Sequence, residues 1–133
     1  MVKTETREID GLTFEVTQLP FMRQGKVFAR LAAAFGPALA KMADGGLDRE
    51  LGSALEVLFA RLTESEFDYL VKALLETAYV RDGDRRICVG QNPDAVLSGR
   101  NMTGLKLLKF AVEVNWQDFF GALTGNLTPA PVV

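Results

Sequence analysis

Val112-Glu-Val-Asn-Trp-Gln-Asp-Phe-Phe-Gly121 closes a long amphipathic stretch near the C-terminus, and the reading of this stretch decides the fold. Leu105, Leu108, Val112, Trp116, Phe119 and Leu123 recur at steps of three or four, so a helix carries them on one face. Leu107, Ala111, Val114 and Phe120 widen that face. Such a stripe either anchors a core or offers apolar surface to another chain. Periodicity alone serves both readings.

Outward from this helix the chain reads as mostly α, within an α+β class. An N-terminal β-hairpin packs on a bundle of about four to five helices, and a second short hairpin is expected near 79–89. Asp10-Gly11 is a strong two-residue turn signal, after which Leu12, Phe14 and Val16 alternate with Thr13, Glu15 and Thr17. The preceding strand, roughly Lys3 to Ile9, is polar on both faces and reads as an exposed edge guarded by charge. Pro20 suits the first turn of a helix running to about Phe35, with Val27, Phe28, Leu31 and Phe35 on its apolar side. Gly36-Pro37 breaks it, and a short alanine-rich helix to about Ala43 follows.

A helix over about 47–62 and another from Thr63 to about Ala78 form an αα-hairpin, with Thr63-Glu-Ser-Glu66 as a capping box between them. Two short β runs surround Arg81-Asp-Gly-Asp-Arg-Arg86, a helical turn occupies about 94–98, and the last helix runs from Asn101 or Met102 to about Leu123. Residues 1–125 are therefore expected to form one domain, and 126–133, with Pro129 and Pro131, a mobile tail.

Composition excludes several functions. Hydrophobic residues make up 48% of 133 positions and charged ones 24%, enough apolar content for a real core and against global disorder. No apolar run reaches bilayer-spanning length, and the N-terminal residues lack the apolar segment of a signal peptide. With no histidine and one cysteine, Cys88, neither the commonest general base nor a usual structural zinc site is available, and no internal disulfide can form. No phosphate-binding loop appears, and the Glu64/Glu66 and Asp82/Asp84 pairs suit a helix start and a turn better than acid–base chemistry. The expectation is a protein that is no enzyme and has no cofactor, metal or small-molecule substrate.

Charge is uneven. From Phe21 to Ala43 there are four basic residues and no acidic one; from Asp44 to Glu76, eight acidic residues face three basic ones. Arg23, Lys26 and Arg30 form a stripe at helical spacing, either a solvated face or a docking face. Nucleic acid suits it poorly, because the net charge is −2 and the stripe is short. An amphipathic partner helix lying along Trp116, Phe119, Phe120 and Leu123, its acids meeting Arg23, Lys26 and Arg30, is the corresponding binding hypothesis.

The chain resembles the phage tail assembly chaperones, small proteins encoded ahead of the tape measure protein in long-tailed phages and prophages. The resemblance covers about residues 6–124. It is carried by Ile9-Asp-Gly-Leu-Thr-Phe-Glu-Val16, by Leu19-Pro-Phe21 with its helix, by the central αα-hairpin, and by Phe110-Ala-Val-Glu-Val-Asn-Trp-Gln-Asp-Phe-Phe-Gly-Ala-Leu123. It implies an assembly factor in the host bacterial cytoplasm, absent from the mature virion. Such a factor binds the tape measure protein, keeps it soluble and helps tail-tube subunits polymerise around it; contact with the tail tube protein and homo-oligomerisation belong to the same expectation, a membrane partner does not. Two rivals stay open at this level: a tail or head component retained in the virion, and a small regulator that binds a host protein.

Overall fold

The computed structural model describes residues 2–35 and 62–127, without the side chains of Phe35 and of 117–127. Strands β1 (Thr4–Ile9) and β2 (Leu12–Thr17) form the expected hairpin about Asp10-Gly11. Both turn residues have positive φ, 50° and 85°, the left-handed geometry that aspartate tolerates and glycine adopts freely. Helix α1 (Phe21–Phe35) follows, starting just after Pro20 rather than with it. Helix α2 (Glu64–Leu75) begins at the predicted capping box: Glu66 N–H donates to Thr63 Oγ1 (3.1 Å) and Thr63 N–H to Glu66 Oε1 (3.0 Å). It ends three residues before Ala78, because Ala78 already begins a strand.

Strands β3 (Ala78–Asp82) and β4 (Arg85–Cys88) make the second hairpin. It does not stand alone. Phe14 pairs with Val80 and Val16 with Ala78, so both hairpins merge into one antiparallel sheet of order β1-β2-β3-β4. After a 3-10 turn at Val89–Gln91 come α3 (Pro93–Leu97) and the long α4 (Asn101–Leu127). That last helix extends past Leu123 and past the expected start of the tail at 126. The helices expected over 37–43 and 47–62, and hence the first half of the αα-hairpin, lie outside the described residues. Among the described residues the architecture is therefore α+β, as expected, with four helices and with the expected hairpins joined in a four-stranded sheet.

Alternation divides the sheet into two unlike faces. Toward the helices lie Ile9, Phe14, Val16, Ala78 and Val80, all buried, against Phe110, Val112 and Leu107 of α4 and Val27 and Leu31 of α1. Arg7 also points this way. Its Nη1 donates to Glu113 Oε1 at 2.7 Å while the guanidinium lies 4.2 Å from the centre of the Phe110 ring. The opposite face is a polar cluster: Glu15 accepts from Arg81 Nε at 2.7 Å and Arg86 Nε at 2.9 Å, and Arg86 stacks on Tyr79. Those two guanidinium groups hold the Glu15 carboxyl below its usual range, Arg81 most strongly.

Two fixings orient the helices. Gly90 passes so close to the end of α2 that an added Cβ would meet Leu75 O at 2.4 Å, and a backbone atom cannot yield as a side-chain tip can. Asn115, 5% exposed in the middle of α4, accepts the Leu19 backbone N–H (2.8 Å) and donates to Ala111 O (2.9 Å). Gln24 and Gln18 add bonds to the carbonyls of Asn115 and Val114 (2.8 and 3.0 Å). Replacing Asn115 by alanine leaves the buried Leu19 N–H without its acceptor, so urea denaturation should show a loss of about 1–3 kcal/mol. An unchanged midpoint would mean that this N–H finds another partner.

Candidate functional site

Of the residues singled out in the sequence, the structure describes the side chains of Trp116, Arg23, Lys26 and Arg30. Trp116 is only 5% exposed and packs against Phe28, ring centroids 5.8 Å apart and planes tilted by 53°. It belongs to the core that joins α1 to α4. Phe119, Phe120 and Leu123 continue the helix, and their side chains lie outside the described part. The basic stripe is divided. Arg23 donates to Glu76 through Nε (3.2 Å) and Nη2 (3.1 Å), and its Nη1 reaches the Tyr69 hydroxyl at 3.4 Å. The Glu76 carboxylate accordingly raises the Arg23 pKa. Arg30 sits 4.5 Å from the Tyr69 ring centre. Both arginines thus dock α1 on α2, whereas Lys26 is exposed.

An open apolar cavity of about 450 Å³ lies elsewhere, where α2, α3 and the start of α4 meet. Phe67, Val71 and Leu75 form one wall, one helical turn apart along α2. Pro93 and Leu97 of α3 form the second, and Leu105 and Leu108 of α4 the floor. Local sequence builds this corner. Asn92 caps α3 by accepting the Ala95 N–H (3.3 Å), and Pro93 occupies the first turn, where no N–H is needed. Gly99, with φ 77°, turns the chain into α4. Leu97 of α3 packs beside Gly104, where even a Cβ would make only ordinary contact with Leu97 Cδ1, at 3.5 Å.

Asp94, Ser98, Arg100 and Asn101 supply the polar part of the lining. Apolar walls with a few polar groups beside them are a lining suited to binding by shape and buried area. Among the described residues no group of three or more Cys, Asp or Glu side chains is placed to hold a metal ion, and no helix is long and apolar enough to cross a membrane. The sequence predicts the helix after Thr63, the helical turn over about 94–98 and the start of the last helix, but nothing in these local signals indicates that they frame a common hollow.

Beside the cavity, the first hairpin is tied to the start of α4. Thr103 Oγ1 donates to Asp10 Oδ2 at 2.7 Å and Lys106 Nζ to Oδ1 at 3.0 Å. These bonds, that from Thr103 first, hold the Asp10 carboxyl below its ordinary range. A carboxyl whose folded pKa is depressed contributes stability above its unfolded value and loses that contribution as pH falls through the folded one. Asp10→Asn should therefore flatten the fall in stability below about pH 4 relative to the parent chain, as read by denaturant midpoints across pH. Trp116→Ala should cost about 3–5 kcal/mol in the same assay, as a cavity in a packed core does; a loss under 1 kcal/mol would place the indole outside the core.

Comparison with known proteins now adds what geometry does not. No curated protein and no solved structure matches the chain. The sequence profile described as phage tail assembly chaperone protein, TAC, matches residues 10–128, a span that starts at the turn of the first hairpin and takes in β2, the second hairpin, all four described helices and every wall of the cavity. The chain belongs to the phage tail assembly chaperone protein family.

Proposed function

We propose that this protein binds the tape measure protein of a long-tailed phage, keeps its apolar segments soluble, and promotes assembly of tail-tube subunits around it. It does so in the host cytoplasm, as an assembly factor that is left out of the finished virion, and it catalyses no reaction. Membership of the chaperone family supports the general role. The observation that carries the finer reading is the open cavity between α2, α3 and α4, walled by Phe67, Val71, Leu97 and Leu105. A holdase needs apolar surface that a client can exchange for water, and a cavity of this kind accepts two or three apolar side chains from one face of a helix.

Binding of the client to the folded chaperone lowers the concentration of free, aggregating client by mass action. Residence must be reversible, since the client is handed on to the growing tube. A half-open hollow suits that need better than a closed one.

Co-expression of the tape measure protein with the tagged chain tests this. The wild-type chain should keep the tape measure protein in the soluble fraction and co-purify with it. Leu97→Ser and Phe67→Ser should reduce the recovered client severalfold while their denaturation midpoints show a folded domain. Full recovery with both variants would remove the cavity from the function. Absence of capture by the wild-type chain would remove the tape measure protein as its client, and detection of the chain in purified virions by mass spectrometry would make it a component of the particle.

A further inference from the structure

We infer that the outer face of α1 is a second docking surface, built to receive an amphipathic helix with acidic side chains from a protein partner. Phe21 and Met22 are the two most exposed large apolar residues among those described, at 83% and 68%. Neither contributes to the core, which α1 reaches through the fully buried Val27 and Leu31 on its other side. At 100° per residue, Met22, Gly25, Lys26, Ala29 and Ala33 fall on one side of the helix, and all five are exposed. A Cβ added at Gly25 would meet nothing within 4 Å. Small side chains along this line let a second helix approach closely, with Phe21 and Met22 as apolar anchors at one end.

Charge identifies the occupant. Helix α1 carries Arg23, Lys26 and Arg30 and no acidic residue, even in its first turn, where acids are favoured. Glu76 compensates only Arg23, whereas Arg30 lies against the uncharged Tyr69 and Lys26 forms no ion pair with a carboxylate among the described residues. Lys26 lies on this line and the exposed Arg30 at its edge, so the face carries positive charge that no acid on α1 offsets. A second copy of the chain using the same face would set Lys26 and Arg30 against their own images, a like-charge arrangement that costs affinity. An anionic membrane calls for a broad apolar wedge with many basic residues beside it, and here only two large apolar side chains project. An acidic helix meets both the charge and the shape.

This surface lies on a different helix from the cavity walls, so the inference stands or falls apart from the cavity reading. Its test uses two labelled synthetic amphipathic helices, one with leucine on one face and glutamate on the other, the second with lysine in place of glutamate. Fluorescence anisotropy with the intact chain should show binding of the glutamate helix and not of the lysine helix, weakening as salt rises. Met22→Ser with Lys26→Glu should weaken that binding at least about tenfold without lowering the denaturation midpoint, and Leu97→Ser in the cavity should leave it unchanged. Equal binding of the two peptides, unchanged affinity in the double variant, or loss of binding in Leu97→Ser would overturn the assignment. So would tighter retention on phosphatidylglycerol vesicles than on the glutamate helix, abolished by the same double variant.

Discussion

Asn115 is the interaction on which the arrangement of the helices depends. Placed in the buried middle of α4, its amide accepts the Leu19 N–H, at the point where the chain leaves the sheet and has no strand partner left. Two residues away, Glu113 meets Arg7 from the edge strand. A helix whose contacts were all apolar could slide or rotate on the sheet at small cost, since one aliphatic surface resembles another. Two polar fixings on opposite sides of α4 allow one register, because any slip leaves a buried amide, a buried carboxylate and a buried N–H unpaired together. The positions of Phe110, Val112 and Trp116 follow from that register.

The same residues explain what sequence could and could not reveal. The first hairpin, the capping box at Thr63–Glu66 and the second hairpin are local, each written into a few adjacent residues, and all are present. Their union into one sheet rests on Phe14 meeting Val80 across more than sixty residues, and no local pattern encodes that. Along α4, the run from Phe110 to Trp116 is buried at every position, polar ones included. Periodicity marks the helix but loses its meaning once the helix is enclosed, and it gives no sign that Asn115 is part of the joint.

The basic stripe shows a related effect. Arg23, Lys26 and Arg30 share a helical spacing, yet Tyr69 and Glu76, remote in sequence, claim two of the three. Helical spacing predicted the shared side of the helix and could not predict the partners. The cavity was illegible for the same reason, as its walls come from three helices whose meeting is a tertiary fact. Phe21 and Met22 were hidden differently: at a helix start, apolar residues usually turn inward, and only coordinates reveal that these two do not.

The contact at Gly90 has a mechanical consequence. Since only a hydrogen atom fits between this residue and the carbonyl of Leu75, the two segments cross at a pivot with no slack. Leu75 belongs to one wall of the hollow, and three residues beyond the pivot Pro93 opens the other. The spacing of these two walls is thereby tied, at this corner, to the covalent path of the chain. Under the proposed function, that tie would make the size of the inserted side chains a criterion for which guests fit.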